Sequence, residues 1–455
     1  MSARLVVIGG GAAGMSAASA ARRVNPDLEI VVLETGPDIA YGLCGIPYYL
    51  SGDVERPDQL LAYSPEVFRE RRRLDIRTRA EVVSLDPERH SVRYRDRRDG
   101  EEHSLHYHRL VVAAGGAPVV PPLPGIDDGA VFTVRSLADA VTLRSMLDAG
   151  RIGRALVVGA GYVGLEMVEA LHARGVSVTV VEGLAQVMAT IDESVAALVE
   201  QEIRSHEVDL RLCTSLERVY RDGDGLHAVL TGETIEVDAI VLAVGVRPAA
   251  GVAAAAGART GPGGALLVDD QMRTSLPDVF ACGDCIAPLH LVLGRPAFVP
   301  LGPAANKTGR VAGTVAAGGQ ARFRGVVGTS VVKVFDLTVA RTGLTLAEAE
   351  AEGLAAVATD VVGRSRAKYY PGAEPVTVRL VHGDGLRLLG AQMVGTDGVA
   401  KRIDVVAVAL QAGFDVNDLA DLDLSYAPPF APVYEPILLA AQRASSRSAL
   451  RTAMA

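Results

Sequence analysis

The feature that most restricts this chain is a pattern that occurs twice, 150 residues apart. In the first copy an apolar run, Leu5 to Ile8, leads into Gly9-x-Gly11-x-x-Gly14, an alanine-rich stretch from Met15 to Arg23, and a second run from Glu29 to Glu34 that ends on an acid. In the second copy Ala155 to Val158 leads into Gly159-x-Gly161-x-x-Gly164, then Leu165 to Ala173, then Ser177 to Val181, closing on Glu182. Each copy reads as strand, glycine turn, helix, strand, acid. Such a turn brings backbone amides against a pyrophosphate at a helix N-terminus, and the carboxylate accepts hydrogen bonds from ribose hydroxyls. Two dinucleotide sites are expected, on buried, largely parallel sheets. The halves also end alike, in Leu110 to Pro118 and Ile240 to Pro248, apolar strands that break at glycine turns. Those turns place Ala114, Gly115 and Gly245 among the cofactor-binding residues.

A chain of 455 residues is too long for one core. A net charge of −9 argues against nucleic acid or an anionic membrane as partner. Hydrophobic residues at 49% together with 48 glycines describe a compact chain rich in tight turns. No stretch has the roughly 18 consecutive strongly apolar residues of a membrane helix, and the weakly polar start from Leu5 to Ala21 is explained by the glycine pattern. Cys44, Cys213, Cys282 and Cys285 are too few for a secreted disulfide scaffold and fit a reducing cytoplasm, the expected location.

Cys44 lies in Tyr41-Gly-Leu-Cys-Gly-Ile-Pro-Tyr-Tyr-Leu-Ser-Gly52, between glycines and just ahead of Pro47, which suits the first turn of a helix. A cysteine at a helix N-terminus is biased toward the nucleophilic thiolate; the competing reading is a small buried packing residue. Val279 to Asp284 is a strand ending in Gly-Asp, where the Asp284 carboxylate suits a polyol chain such as ribityl. Cys282 and Cys285 have Cys-x-x-Cys spacing but no second pair to complete a zinc site, so they read as part of that turn; no metal site is expected. Cys213 is expected in a strand, facing the core.

From Phe323 onward the pattern changes. Strands are expected at Ser330 to Phe335, Val376 to Val381 and Leu388 to Val394, with helices at Leu346 to Gly353 and Val399 to Ala412. An extended, proline-punctuated stretch from Leu424 to Pro436, a short helix and a polar tail follow. Nothing there resembles a third nucleotide site, so dimerisation or substrate closure is its expected role. The expected architecture is α/β. Two Rossmann-like dinucleotide domains, 1–122 with 264–325 and 123–263, precede a C-terminal α+β dimerisation domain at 326–445 and a tail at 446–455.

Two dinucleotide sites, a Gly-Asp turn and one thiolate-prone cysteine trace a path for electrons from nicotinamide through a flavin to sulfur. On these features the chain resembles the flavin-dependent pyridine nucleotide-disulfide oxidoreductases. Within them it is similar to the single-cysteine branch of coenzyme A disulfide reductases, persulfide reductases, NADH oxidases and NADH peroxidases. The resemblance runs from residue 4 to 440. Besides both glycine loops with their acids, it rests on Tyr41 to Pro47, Ala281 to Asp284, Ala305 to Arg310, Tyr369 to Gly372 and Tyr426 to Pro429. It implies FAD in the first site, NAD(P)H in the second, and a homodimer whose C-terminal tyrosines reach the partner's active site. It makes Cys44 the redox cysteine, Asp284 the ribityl ligand, and Tyr426 with Tyr369 or Tyr370 the groups near the substrate sulfur.

The departures narrow the substrate. Tyr48 and Tyr49 stand where two-cysteine disulfide reductases carry their second sulfur, and the C-terminus offers no histidine. Ala12 stands where oxidase and peroxidase relatives place a histidine, which points toward thiol substrates. Leu43 and Ala40 replace the Asn and Ser usual in coenzyme A disulfide reductases. Arg22 and Arg23 are candidates for the phosphates of coenzyme A, with a solvated helix end as the alternative; Leu43 and Asn306 complete the substrate set. Arg69 to Arg73 reads as a solvated face. Glu182, followed by Gly183-Leu-Ala-Gln186 without Arg or Lys, favours NADH over NADPH. The expected activity is NADH-dependent reduction of a low-molecular-weight disulfide, persulfide or polysulfide through Cys44. The alternatives are an NADH oxidase or peroxidase cycling through Cys44 sulfenic acid, and an NADH-sensing electron-transfer flavoprotein in which Cys44 only packs.

Overall fold

A computed structural model describes residues 3–454, which form two compact units. The first comprises the chain up to residue 119 with 133–146 and 245–326; the second comprises 120–132, 147–244 and everything from 327 onward.

The first unit is built on a five-stranded sheet in the order Val279–Ala281, Arg109–Val112, Arg4–Ile8, Glu29–Glu34, Asp75–Thr78. Every pairing in it is parallel. Central strands of such a sheet are covered on both faces, and Leu5, Val6, Val7, Val31, Val32, Leu110 and Val111 are fully buried. The helix Ala12–Val24 packs against Gly302–Ala316 at backbone contact. A Cβ on Gly309 would lie 2.2 Å from the Ala13 carbonyl oxygen, and one on Gly313 2.0 Å from that of Ala17, so only glycine allows this approach. An antiparallel sheet of Ala80–Asp86, Ser91–Asp96 and Glu102–His106 completes the unit.

The second unit repeats the parallel design, in the order Asp209–Arg211, Ser177–Val181, Arg154–Val158, Ala239–Leu242, Val131–Phe132. It adds a five-stranded antiparallel sheet, Ser330–Val334, Leu337–Gly343, Leu388–Gly395, Pro375–Gly383 and Ala356–Arg364, backed by the helices Val399–Ala412 and Pro436–Met454. Asp192, the residue just before the helix Glu193–Ser205, is buried, and its carboxylate fastens the two parts. It accepts from Arg379 Nε at 2.9 Å, Gln392 Nε2 at 2.6 Å, Leu346 N at 3.2 Å and Ala347 N at 3.3 Å. That network joins the nucleotide module to the C-terminal sheet within this unit. Residues 245–263 belong with the first unit because Val246–Pro248 pairs with Gly116–Pro118.

Three local expectations need correction. Cys213 is exposed, in a loop with φ 50°, beyond the end of the strand Asp209–Arg211, and not in a core. The strand expected to reach Phe335 stops at Val334, because Phe335 turns the chain with φ 51°. The C-terminal stretch set aside as a polar tail continues the helix to Met454.

Candidate active site

The two glycine loops have the same geometry, and it is imposed by contact. Gly9 has φ 102°, and a Cβ there would lie 2.2 Å from the Ala113 carbonyl oxygen; one on Gly14 would lie 1.9 Å from that of Gly9. Gly159 has φ 98°, with Ala243 O at 2.6 Å from its Cβ position, and Gly164 meets Gly159 O at 1.9 Å. The middle glycines differ: nothing lies within 4 Å of a Cβ on Gly11 or Gly161, each of which caps its helix. The outer glycines are therefore required by the turn and by packing, and the middle ones leave open space at a helix N-terminus, where a pyrophosphate fits. Gly115, φ 71°, and Gly245, φ 110°, likewise have no neighbour within 4 Å of the Cβ position. Ala114 lies between Gly115 and Ala113, whose carbonyl closes against Gly9.

The acids are held in matching ways. Glu34 accepts from Gly10 N at 2.6 Å and Gly36 N at 2.7 Å. Glu182 accepts from Ala160 N at 2.9 Å and Leu184 N at 3.0 Å. Each carboxylate is oriented by two amides and keeps lone pairs for a diol. Asp284 is largely buried, which pushes its carboxyl up; Arg135, with Nη2 3.7 Å from Oδ2, opposes that rise. These features fit a dinucleotide in each loop and a polyol beside Asp284.

The redox segment is tied to the first loop. Ala40, with φ 51°, donates its amide to Gly10 O at 2.8 Å, and Gly42 N donates to Leu60 O at 2.7 Å. Leu43–Gly45 makes one tight helical turn and Ile46–Ser51 a short helix with Pro47 in its first turn. Cys44 is exposed on this turn, beside half-buried Leu43. The segment is braced from the chain after residue 133: the Tyr41 hydroxyl donates to Arg135 O at 3.1 Å, and Arg144 donates to Tyr49 O with its guanidinium 5.2 Å from the Tyr49 ring centroid. Burial raises the Tyr41 hydroxyl, as do Glu34 and other acids, against Arg135. Cys282 and Cys285 are fully buried, which drives both thiols up, Cys285 to about 11. Cys285 Sγ donates to Cys282 O at 3.2 Å and Val112 O at 3.5 Å, as an inert thiol does. In the second unit the hydroxyls of Tyr369 and Tyr426 meet at 3.3 Å; Tyr370, also exposed, anchors its loop by donating its amide to Ala367 O at 2.8 Å.

Residues 3–321 match the family described as pyridine nucleotide-disulphide oxidoreductase, and residues 329–436 match its dimerisation domain. The chain belongs to this family. It is 37% identical over 444 residues, 97% of this chain and 98% of the relative, to the NAD(P)H coenzyme A polysulfide/persulfide reductase of Pyrococcus horikoshii. Among solved structures, the NAD-dependent persulfide reductase from A. fulgidus superposes with a TM-score of 0.94 at 38% identity, over 98% of this chain and 84% of that one. The water-forming NADH oxidase from Lactobacillus brevis, bound to NADH, superposes with a TM-score of 0.95 at 31% identity, over 99% and 100%. As a pyridine nucleotide-disulphide oxidoreductase this is an enzyme that works with FAD and NAD(P)H, and the two cradles offer a site for each. The dimerisation domain supports a homodimer. Among the described residues, no helix is long and apolar enough to cross a membrane.

Some sequence assignments change in the structure of this oxidoreductase. Arg22, set toward phosphates, donates to Arg72 O at 3.0 Å, Arg73 O at 2.8 Å and Pro26 O at 2.7 Å, so its guanidinium is committed to main-chain carbonyls. Arg23 is exposed on the same helix. The Arg69 to Arg73 run is not simply a solvated face: Arg72 donates to Ser19 Oγ and lies 5.3 and 5.1 Å from the ring centroids of Tyr63 and Phe68. Asn306 accepts from Ser16 Oγ at 2.8 Å, between the two glycine-packed helices. Glu202, His206 and Asp336 converge to within 4.8 Å, with His206 Nε2 3.3 Å from Glu202 Oε1, which also accepts from Asp336 N at 2.9 Å. Those hydrogen bonds account for the arrangement.

Sequence reasoning missed Glu166, two residues after the last glycine of the second loop, whose carboxyl is pushed up to about 7 by burial and then by Glu169. An acid in the otherwise apolar run Val163 to Val168 was the available signal. It also missed Arg135, which braces both Asp284 and Tyr41.

Proposed function

We propose that this enzyme uses NADH and FAD to reduce a low-molecular-weight disulfide, persulfide or polysulfide, with coenzyme A as the candidate thiol carrier, through the single redox residue Cys44. The observation that carries this reading is an exposed cysteine on a turn hung from the first glycine loop, with buried Tyr49 and exposed Tyr48 following it and no neighbouring cysteine in its segment. Without a resolving partner in the same segment, Cys44 exchanges sulfur with one that the substrate brings.

Gly9, Gly11, Gly14, Glu34, Gly115 and Asp284 would hold FAD, and Gly159, Gly161, Gly164 and Glu182 the nicotinamide dinucleotide. When bound, the pair supplies hydride acceptance and two-electron transfer. The chain's part is the sulfur chemistry: the Cys44 thiolate attacks one sulfur of the substrate's S–S bond, that bond breaks as a mixed disulfide with Cys44 forms, and the other sulfur leaves as a thiolate that takes up a proton. Reduction of that mixed disulfide releases the second thiol, so that disulfide, NADH and a proton give two thiols and NAD⁺. A persulfide gives a thiol and hydrogen sulfide by the same balance. The tyrosine pair, working in the active site of the partner subunit, supplies a hydroxyl proton to the departing sulfur. Glu182 supports NADH over NADPH, because a carboxylate fixed by two amides accepts from a free 2'-hydroxyl and repels a 2'-phosphate. The names of the P. horikoshii and A. fulgidus proteins support a persulfide substrate.

The test is anaerobic NADH consumption against coenzyme A disulfide, coenzyme A persulfide, polysulfide and glutathione disulfide, by wild type and Cys44→Ser. Turnover lost in Cys44→Ser with FAD retained is expected; undiminished turnover would refute the assignment. A second reading, oxygen reduction through a Cys44 sulfenic acid, is favoured by the likeness to the Lactobacillus brevis oxidase. Ala12, at the start of the first loop helix, offers no proton-transfer group for it. Oxygen uptake with NADH alone at the rate of thiol turnover would select that reading.

A further inference from the structure

In the second unit, two tyrosine-bearing segments far apart in sequence are fastened to one buried side chain. Arg402, on the helix Val399–Ala412, is 8% exposed, and Glu435 is 7% exposed. Arg402 Nε donates to Glu435 Oε1 at 2.6 Å and Nη2 to Glu435 Oε2 at 3.1 Å. Nη2 also donates to Ser365 O at 2.8 Å, and Nη1 to Gly398 O at 3.1 Å. Ser365 opens the loop of Tyr369 and Tyr370, and Glu435 closes the stretch that carries Tyr426. A Cβ on Gly398, where φ is 77°, would lie 1.9 Å from Arg402 Nη1, so the guanidinium fills a slot that a glycine leaves. The two segments also touch directly, through Ala367 N to Pro428 O at 3.2 Å and the Tyr369 and Tyr426 hydroxyls at 3.3 Å.

Stability alone does not account for this pair. Desolvating two charges offsets most of their attraction, and well-packed apolar side chains often replace such a pair without loss. What apolar side chains lack is direction. The planar guanidinium sends its donors along a fixed fork to acceptors on three separate segments.

We propose that Arg402 and Glu435 are positioning residues that hold the 365–374 loop and the 424–436 segment in one register, so that Tyr369 and Tyr426 meet hydroxyl to hydroxyl. The hydrogen bond that the Tyr426 hydroxyl shares with Tyr369, the largest influence on Tyr426, raises its pKa above the ordinary tyrosine value. The inference deepens the reading above in one respect, that the tyrosine pair serves turnover.

The experiment compares the FAD-loaded enzyme with Arg402→Met/Glu435→Met, each with and without Tyr426→Phe. The tyrosinate absorbance difference within each pair reports the titration of Tyr426. In the double-Met protein Tyr426 is expected to titrate at lower pH, with kcat reduced about tenfold or more, KM for NADH unchanged, and little further loss on adding Tyr426→Phe. An unchanged Tyr426 titration, or a Tyr426→Phe effect of the same factor in both backgrounds, overturns the proposal. Glu435→Asp, which keeps the charge and shortens the reach by one methylene, carries the same comparison if the double-Met protein does not fold. If Tyr426→Phe leaves turnover of the parent untouched, the catalytic reading of the tyrosines fails, and the titration still decides the positioning.

Discussion

Glu166 offers a quantitative test of how the second nucleotide module is built. Its carboxyl lies on the helix Tyr162–His172, close behind the glycine loop, and burial followed by the charge of Glu169 moves it from 4.5 to about 7. Glu169 is itself paired with Lys333 and accepts from Phe335 N at 2.9 Å. At 1.36 kcal/mol per pH unit the displacement corresponds to about 3 kcal/mol, and about 2 kcal/mol after allowing for the part of the carboxyl that water still reaches. The sign follows from proton binding. The folded state holds this proton more tightly than the unfolded chain, so the contribution of Glu166 to stability is most favourable below pH 4.5, falls between 4.5 and about 7, and stays at its lowest above that. Glu166→Gln removes the charge and with it the slope. The variant should match wild type near pH 4.5 and exceed it by about 2 kcal/mol at pH 8. Urea unfolding of the FAD-loaded, nucleotide-free enzyme, followed by circular dichroism since the chain has no tryptophan, measures the difference across that range. A difference that does not vary with pH, or a less stable variant at pH 8, would refute the reasoning.

Two further outcomes are expected. Gly9→Ala should lose FAD on gel filtration, whereas Gly159→Ala should keep its flavin absorbance and raise KM for NADH about tenfold or more, because each new Cβ overlaps a carbonyl in its own cradle only; FAD retained by Gly9→Ala would contradict the first assignment. Glu182→Ala should shift the ratio of kcat/KM values from NADH toward NADPH by about one to two orders of magnitude, the scale of a hydrogen bond to a charged group, and an unchanged ratio would refute the role given to that carboxylate.

The parts that could be read directly are those whose constraints are local. Leu5 to Ile8 and Ala155 to Val158, in the parallel strands Arg4–Ile8 and Arg154–Val158, are short unbroken apolar runs because both sheet faces are covered, and a run of that kind declares itself within a few residues. The turn at Cys44 was equally legible, since glycine on either side and Pro47 after it leave few other conformations. The misplacement of Cys213 has the opposite cause: the strand Asp209–Arg211 is only three residues long, and the left-handed residue that ends it has no mark in composition. For Arg22 the choice between a phosphate ligand and a solvated helix end stayed open in the sequence, because the carbonyls that take its donors, at Arg72 and Arg73, come from a segment 50 residues away.

The internal duplication shows the division most clearly. In the first copy Ala40, left-handed at φ 51°, hangs from Gly10 O; in the second Met188, at φ 48°, hangs from Ala160 O at 2.9 Å. From those equivalent points one copy proceeds to Cys44 and the other to Asp192 and its network with Arg379 and Gln392. The amino-acid sequence by itself determined the two cradles and their acids, the turn at Cys44 and the order of the elements, because glycine conformations, caps and strand periodicity act over a few neighbouring residues. Only the tertiary structure decided that Glu166 titrates near neutrality, that Tyr369 rather than Tyr370 meets Tyr426, and that Arg402 binds two distant loops together. Those properties depend on burial and on approach between residues tens of positions apart, which the local pattern of a chain does not record.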